Sequence, residues 1–248
     1  MIALYILGGL LALFLLYVLF LGVCSMLVST EKEYNKNSGF YRFLLNSATA
    51  AAIRLLRIRV HVTGAEKLPP DGKVLFVCNH RSNFDPIITW YALKKWKLAF
   101  ISKPENFKIP FFGRIIRRCC FMPIDRENPR NAIVTINRAA RLLRQQEVSV
   151  GVYPEGTRNK TNQLLPLHNG VFKIAQKADV PIVVLCVTGT EKISKRAPFK
   201  GTDVYLDVLE VLPPQDIRDT KTAAIGTVVR HLLITNIEKR ETSWQKDM

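Results

Sequence analysis

Hydrophobic and polar positions divide the chain into three regimes. Residues 2–28 are nearly all apolar, and no charged side chain precedes Glu31. As a helix this stretch is roughly 40 Å long, more than the ~20 residues a bilayer span requires. A helix apolar all round for that length fits lipid better than a soluble core. A cleaved signal peptide fits less well, because there is no basic n-region, the stretch is too long, and no A-x-A-like site follows it.

From Tyr41 to Leu56 the pattern becomes one-sided. Tyr41, Leu44, Leu45, Ala48, Ala51, Ala52, Leu55 and Leu56 recur at helical spacing, while Arg42, Arg54 and Arg57 fall off the stripe. Two placements suit such a helix. It can lie in the headgroup plane with its arginines toward lipid phosphates, or pack its stripe onto the following domain. Lys32, Lys36, Arg42, Arg54, Arg57 and Arg59 all follow the apolar stretch. That excess favours a cytoplasmic position at the cell membrane for the rest of the chain.

The third regime alternates short apolar runs with amphipathic ones. Strands are expected at 58–63, 74–78, 98–102, 120–124, 148–153, 181–187 and 203–211, and helices at 86–96, 110–117, 129–146, 169–178 and 219–240. Asn128-Pro129 reads as a helix start, with Arg130, Arg138, Arg141 and Arg144 on the solvated side. This order predicts an α/β fold, a mostly parallel sheet of about seven strands flanked by helices. The expected division is a membrane anchor with its amphipathic helix over 1–58, then a catalytic domain over 59–248.

The composition narrows the partners. With 36 Lys plus Arg against 20 Asp plus Glu, the net charge is +16, which suits an anionic lipid surface or a phosphorylated substrate. No zinc-ligand spacing, basic region leading into heptads or aromatic ribonucleoprotein motif is present, so no nucleic acid is expected. The five cysteines, at 24, 78, 119, 120 and 186, are odd in number, form no C-x-x-C, and sit mostly in apolar runs. They read as small buried residues rather than a disulfide or metal framework.

Four segments at expected strand ends carry chemistry. Asn79-His80-Arg81-Ser82-Asn83-Phe84-Asp85-Pro86 follows the run ending at Cys78. A neutral imidazole is a general base near pH 7, and a nearby carboxylate fixes its tautomer and stabilises the imidazolium. The competing reading makes Asp85 an N-cap for the helix at Pro86. Pro154-Glu155-Gly156-Thr157-Arg158 ends another strand: Thr157 and Arg158 can donate to phosphate, Gly156 permits close approach, and Glu155 is expected to orient Arg158 or another basic group. Ile124-Asp125-Arg126 ends a third, and Lys103 a fourth. Open α/β sheets bind ligands outside the carboxyl ends of their strands, so these basic groups converge on the His80–Asp85 pair. His61 and His231 read as structural; His168 follows the E-G-T-R loop, from where it could approach the site.

Taken together these blocks resemble the glycerolipid acyltransferase family, nearest to the 1-acylglycerol-3-phosphate acyltransferases. H-x-x-x-x-D is matched by His80 to Asp85, an I-D-R-ending block by Gly113 to Arg126, E-G-T-R by Glu155 to Arg158, and V-P-I-V by Val180 to Val183. All four occur in family order over roughly residues 60–190. The resemblance implies acyl transfer from a thioester donor, acyl-CoA or acyl carrier protein, to the sn-2 hydroxyl of lysophosphatidic acid in phospholipid biosynthesis. His80 and Asp85 would be catalytic; Arg126, Glu155, Gly156, Thr157, Arg158 and Lys103 would bind substrate; no metal or redox cofactor is implied. Acylation of glycerol 3-phosphate or another lysolipid is the alternative within the family, and a non-catalytic anionic-membrane-binding protein the alternative outside it. A serine hydrolase lacks its G-x-S-x-G here, and nucleotide-binding enzymes lack G-x-G-x-x-G and G-x-x-x-x-G-K. Departures stand at Cys119-Cys120, where the family often has glycine, at Leu167 to Gly170, where it often has a Lys-Gly pair, and at Val184, where it often has proline.

Overall fold

The protein is described by a computed structural model over residues 1–125, 129–159, 161 and 163–246. Arg126 and Asn128, singled out by the sequence, lie outside the described residues. Two long helices open the chain, α1 (Ile2–Met26) and α2 (Gly39–Leu55). Seven strands follow, β1 (Ile58–Thr63), β2 (Leu75–Cys78), β3 (Leu98–Ser102), β4 (Met122–Pro123), β5 (Ser149–Val152), β6 (Ile182–Thr188) and β7 (Thr202–Leu212). Between and after them lie α3 (Asp85–Ala92), α4 (Phe112–Arg118), α5 (Pro129–Arg144), α6 (Lys173–Ala178), α7 (Ile193–Arg196), α8 (Pro214–Ile217) and α9 (Thr222–Lys246).

The strands form one sheet in the order β1-β7-β6-β2-β5-β3-β4. Every neighbouring pair is parallel except β6 with β7. The mostly parallel sheet expected from the sequence is therefore present, with one antiparallel join that hydrophobic periodicity could not reveal. Central strands β2, β5 and β6 are buried along their whole length. Burial on both faces explains why they read as continuous apolar runs rather than alternating ones. Because β4, β3, β5, β2 and β6 all run the same way, their carboxyl ends lie along one edge of the sheet.

α1 stands apart from this core. Its apolar side chains are largely exposed, and among the described residues it is the helix long and apolar enough to cross a membrane. Its C-terminal part docks: the Tyr17 hydroxyl lies 2.8 Å from Ser47 Oγ, Cys24 and Ser25 are buried, and so is Val28 just beyond the helix.

α2 is different. Ser38 caps its first turn, accepting from Tyr41 N, and Tyr41, Leu44, Leu45 and Ile53 are buried in the main core. Of the two placements open to this helix, packing on the domain accounts for its stripe. Arg42 corrects the expectation that its arginines turn outward to lipid. It is buried, donates to Leu98 O at 2.9 Å and Asn37 Oδ1 at 2.7 Å, and lies over the Trp90 ring at 4.6 Å. A guanidinium has five donors, enough to satisfy the carbonyl at a strand start as well as a loop amide.

Arg138 corrects a second expectation. It is buried rather than solvated, donating to Tyr34 O and Asn35 Oδ1 and so fastening α5 to the segment between α1 and α2. Arg130, Arg141 and Arg144 on the same helix are exposed, as expected.

Candidate active site

β2 delivers Asn79 and His80 to the carboxyl edge of the sheet. Asn79 is buried and ties β2 to β6 through a paired amide contact, donating to Val187 O at 2.9 Å and accepting from Val187 N at 2.7 Å. His80 then enters the loop that leads into α3. Its Nδ1 lies 2.8 Å from Asp85 Oδ2, and its side chain keeps 16% exposure while that of Asp85 has none.

Asp85 is surrounded by donors. Oδ2 also accepts from Arg81 N at 2.6 Å and Ser82 N at 2.7 Å, and Oδ1 accepts from Thr190 Oγ1 at 2.5 Å. The capping reading of Asp85 is thereby corrected: α3 has no side-chain cap, and the carboxylate gathers the loop before the helix instead. A buried carboxylate is tolerable because each oxygen is matched by N–H or O–H donors. A neutral imidazole that donates Nδ1–H to Asp85 leaves Nε2 as its acceptor, the arrangement a general base needs.

An aromatic platform sets the ring's other face. Tyr153 lies 4.5 Å from His80 centroid to centroid, and Phe100 stacks behind it at 5.8 Å. The Tyr153 hydroxyl is 3.2 Å from Thr89 Oγ1, which donates back to Asp85 O. Burial pushes the Tyr153 hydroxyl well above its ordinary pKa. Gly151 makes room for this stack, since a Cβ there would drive into the Phe100 ring.

The E-G-T-R loop follows β5, next to β2. Gly156 takes φ +72, a left-handed conformation that costs glycine little. Thr157 and Arg158 are exposed, and Lys103 is exposed at the end of β3. Among the described residues Arg158 has no carboxylate partner, and no direct bond joins Lys103, Thr157 or Arg158 to the His–Asp pair.

Glu155 corrects its expected role. It is buried, and its oxygens accept from His80 N at 2.6 Å and Leu165 N at 3.0 Å. It therefore neither orients Arg158 nor faces a substrate; it locks the loops after β2 and β5 together. Burial raises its pKa, against the lowering effect of those two backbone donors. Asn159 N donates to His80 O at 2.7 Å and completes the join.

Beside this centre lies a mostly apolar slot of about 160 Å³, lined by Ile101, Ile124, Ile136, Tyr153, Gly156 and Val171 among others. His168 also lines it, its backbone N–H donating to Pro154 O at 2.8 Å, which puts the third histidine near the site. His61 is instead held by Asp203 at 2.9 Å on the β1 edge, and His231 sits on α9. Cys119 and Cys120, the departure before β4, are buried thiols. Cys120 has φ +63, so the chain keeps a glycine-like backbone there despite its Cβ.

Thr190, Tyr153 and Asn79 were not picked out by sequence reasoning. Thr190 follows an apolar strand as His80 does, so strand-end position was the one signal that could have flagged it.

The chain is similar to known proteins. Residues 59–188, more than half of the chain, match the family model described as Acyltransferase. The human protein called 1-acyl-sn-glycerol-3-phosphate acyltransferase alpha is 29% identical over 222 residues, covering 88% of this chain and 77% of that one. The Salmonella typhimurium 1-acyl-sn-glycerol-3-phosphate acyltransferase is 30% identical over 160 residues, 64% of each. In fold, the crystal structure of the 1-acyl-sn-glycerophosphate acyltransferase PlsC from Thermotoga maritima aligns with a TM-score of 0.70 at 24% identity, covering 91% of this chain and 89% of that one. A chain that carries H-x-x-x-x-D and E-G-T-R in the segments that follow adjacent parallel strands, and that matches the family over this whole region, belongs to the acyltransferase family.

Proposed function

We propose that this acyltransferase moves a fatty acyl group from a thioester donor to the sn-2 hydroxyl of 1-acylglycerol 3-phosphate, giving phosphatidic acid. The observation that carries the reading is the His80 Nδ1–Asp85 Oδ2 contact of 2.8 Å, with the carboxylate sealed and the imidazole still accessible. The names of the relatives supply the acceptor: those proteins are called 1-acyl-sn-glycerol-3-phosphate acyltransferases.

In this scheme His80 Nε2 takes the proton of the acceptor hydroxyl as its oxygen attacks the thioester carbonyl. The C–O bond forms, the C–S bond breaks, and the proton passes from the imidazolium to the departing thiolate. Asp85 stabilises the imidazolium between those steps. The nucleophile is the substrate's own oxygen, so no acyl-enzyme and no cofactor beyond the thioester takes part.

Thr157, Arg158 and Lys103 hold the acceptor phosphate at the strand ends, Gly156 permits its approach, and Arg126 joins them on the strength of its motif. The apolar slot beside Tyr153 takes part of an acyl chain. α1 anchors the enzyme in the membrane, with residues 59–248 acting as the catalytic domain on the cytoplasmic side, against an anionic surface.

The test uses the purified full chain and radiolabelled acyl-CoA or acyl carrier protein with three acceptors: lysophosphatidic acid, glycerol 3-phosphate and a lysolipid without a phosphomonoester. Label in phosphatidic acid that disappears in His80→Ala is expected. Preferential labelling of glycerol 3-phosphate would move the enzyme to the alternative acceptor. No thioester consumption with any acceptor would remove the catalytic reading altogether.

A further inference from the structure

A second basic site lies where α1 meets the domain. A pocket of about 380 Å³ there is lined by Thr30, Lys108, Arg114 and Arg117, with Ile109 and Phe111 among its apolar walls. None of its lining residues is acidic, and none belongs to the His80–Asp85 centre. Arg114 and Arg117 are three residues apart on α4, so their side chains share a face.

The pocket's position is fixed by α1. Arg114 Nη1 donates to Met26 O, the last residue of that helix, at 3.4 Å, and the Phe111 ring packs against Gly22 one turn earlier. If α1 lies in the bilayer, as the proposed function holds, the end of its apolar stretch falls at the level of the lipid phosphates.

The side chains are poised for an anion. Among the described residues Lys108, Arg114 and Arg117 form no ion pair. The Arg117 guanidinium rests over the Phe107 ring at 5.2 Å, and its Nε is buried with no hydrogen-bond partner. A buried donor without an acceptor is costly, and it leaves the Arg117 guanidinium short of a counter-charge. Of the pocket's walls, Ile109 and Phe111 are exposed large hydrophobics, as is Phe112 next in the chain. A soluble phosphate would use the cations and leave those side chains in water; a phospholipid uses both.

We propose that this pocket binds the headgroup phosphate of an anionic phospholipid of the surrounding bilayer, apart from the reacting substrate. The site orients the carboxyl edge of the sheet against the membrane by holding α4 as well as α1 at the surface.

The experiment is native mass spectrometry of the full chain in a neutral detergent, titrated with phosphatidylglycerol, phosphatidylcholine or inorganic phosphate. One phosphatidylglycerol should bind at least about tenfold tighter than phosphatidylcholine, and Arg114→Gln/Arg117→Gln should abolish that preference, the loss expected for charge-assisted contacts. Lys108→Gln, at an exposed position, is the second variant and should weaken the preference without affecting folding. Millimolar inorganic phosphate should not displace the lipid. The KM for lysophosphatidic acid should be the same in wild type and variants.

Equal binding of the two lipids, or an undiminished preference in both variants, would overturn the site. Displacement by inorganic phosphate would overturn the bilayer lipid as its ligand. A rise in KM parallel to the lost lipid would make it part of the acceptor site, again against the proposal. Absence of acyl transfer in wild type would count against the proposed function and leave the lipid titration to decide this site by itself. Flotation with neutral vesicles tests the membrane placement of α1 separately.

Discussion

Replacing Asp85 by asparagine separates its charge from its shape. In the native protein the carboxylate accepts from His80 Nδ1, Arg81 N, Ser82 N and Thr190 Oγ1. Asparagine is isosteric and can keep its single carbonyl oxygen toward the first three donors. Its NH₂ then faces Thr190, whose hydroxyl can turn to accept. One hydrogen bond reverses and the charge of the others is lost, so Asp85→Asn should cost about 1–3 kcal/mol of stability. Capping preference alone would have predicted about 1 kcal/mol or less. Asp85→Ala removes every acceptor at a fully buried position and should cost about 3–5 kcal/mol.

The rate should respond more steeply than the stability. An imidazolium formed at His80 would face a neutral amide instead of a carboxylate, and kcat should fall at least about 100-fold, a barrier increase of about 2.7 kcal/mol. In a serine protease triad the same aspartate-to-asparagine change lowers kcat by about 10⁴, so this is a lower bound. Thermal melts fix the folded fraction, and acyl transfer is measured well below the transition. A folded Asp85→Asn enzyme retaining more than about a tenth of kcat would refute the reasoning and leave Asp85 as a structural knot in the loop.

Further expectations follow from neighbouring contacts. Thr190→Val leaves Asp85 Oδ1 without its donor and should cost about 1–3 kcal/mol with a loss of kcat, while Thr190→Ser restores both; melts and rates on the pair distinguish hydroxyl from packing. Arg158→Ala should lower kcat/KM for lysophosphatidic acid roughly 10–100-fold, with a smaller loss on an acceptor lacking phosphate; equal losses would make Arg158 structural. Arg42→Ala strips the Leu98 carbonyl and the Trp90 face of their partner and should cost about 3 kcal/mol by chemical denaturation, with Arg42→Lys unable to restore it. Burial pushes Cys119 up to about 12 and Cys120 up to about 11 from an ordinary 9.0. These thiols should resist alkylation in the native protein at pH 8, and their contribution to stability should be constant below pH 9 and decline above it, because the unfolded chain then releases protons that the folded one retains; alkylation rates and pH-dependent melts check both.

The sequence made the central strands β2, β5 and β6 legible because their burial is two-sided. The run 98–102 matches β3 residue for residue, and 58–63 matches β1, an edge strand that is mostly exposed and was legible from its apolar-polar alternation instead. Strand direction was not legible: β7 has the same apolar pattern whether it joins β6 parallel or antiparallel. Charged residues inside helices were misread for a related reason. Periodicity assigns Arg42 and Arg138 to the outer face because they interrupt an apolar stripe. Their partners, Leu98 O and Tyr34 O, lie 56 and 104 residues away and leave no local trace.

The candidate site shows the same limit more sharply. His80 and Asp85 are five residues apart, and their pairing could be anticipated from one loop. What holds the pair comes from elsewhere in the chain: Glu155 from 75 residues downstream on His80 N, and Thr190 from 105 residues downstream on Asp85 Oδ1. A short motif names residues but not their duties, and E-G-T-R divides accordingly. Its glutamate is buried in the joint between two loops, while its threonine and arginine remain open to solvent. Parallel packing explains why these distant residues meet. β2 lies between β5 and β6, so the loops leaving all three strands emerge side by side, and each can satisfy the backbone groups the others expose. The imidazole is consequently held by the register of three strands, and a change that slips β5 or β6 against β2 should disturb His80 as surely as a change at Asp85.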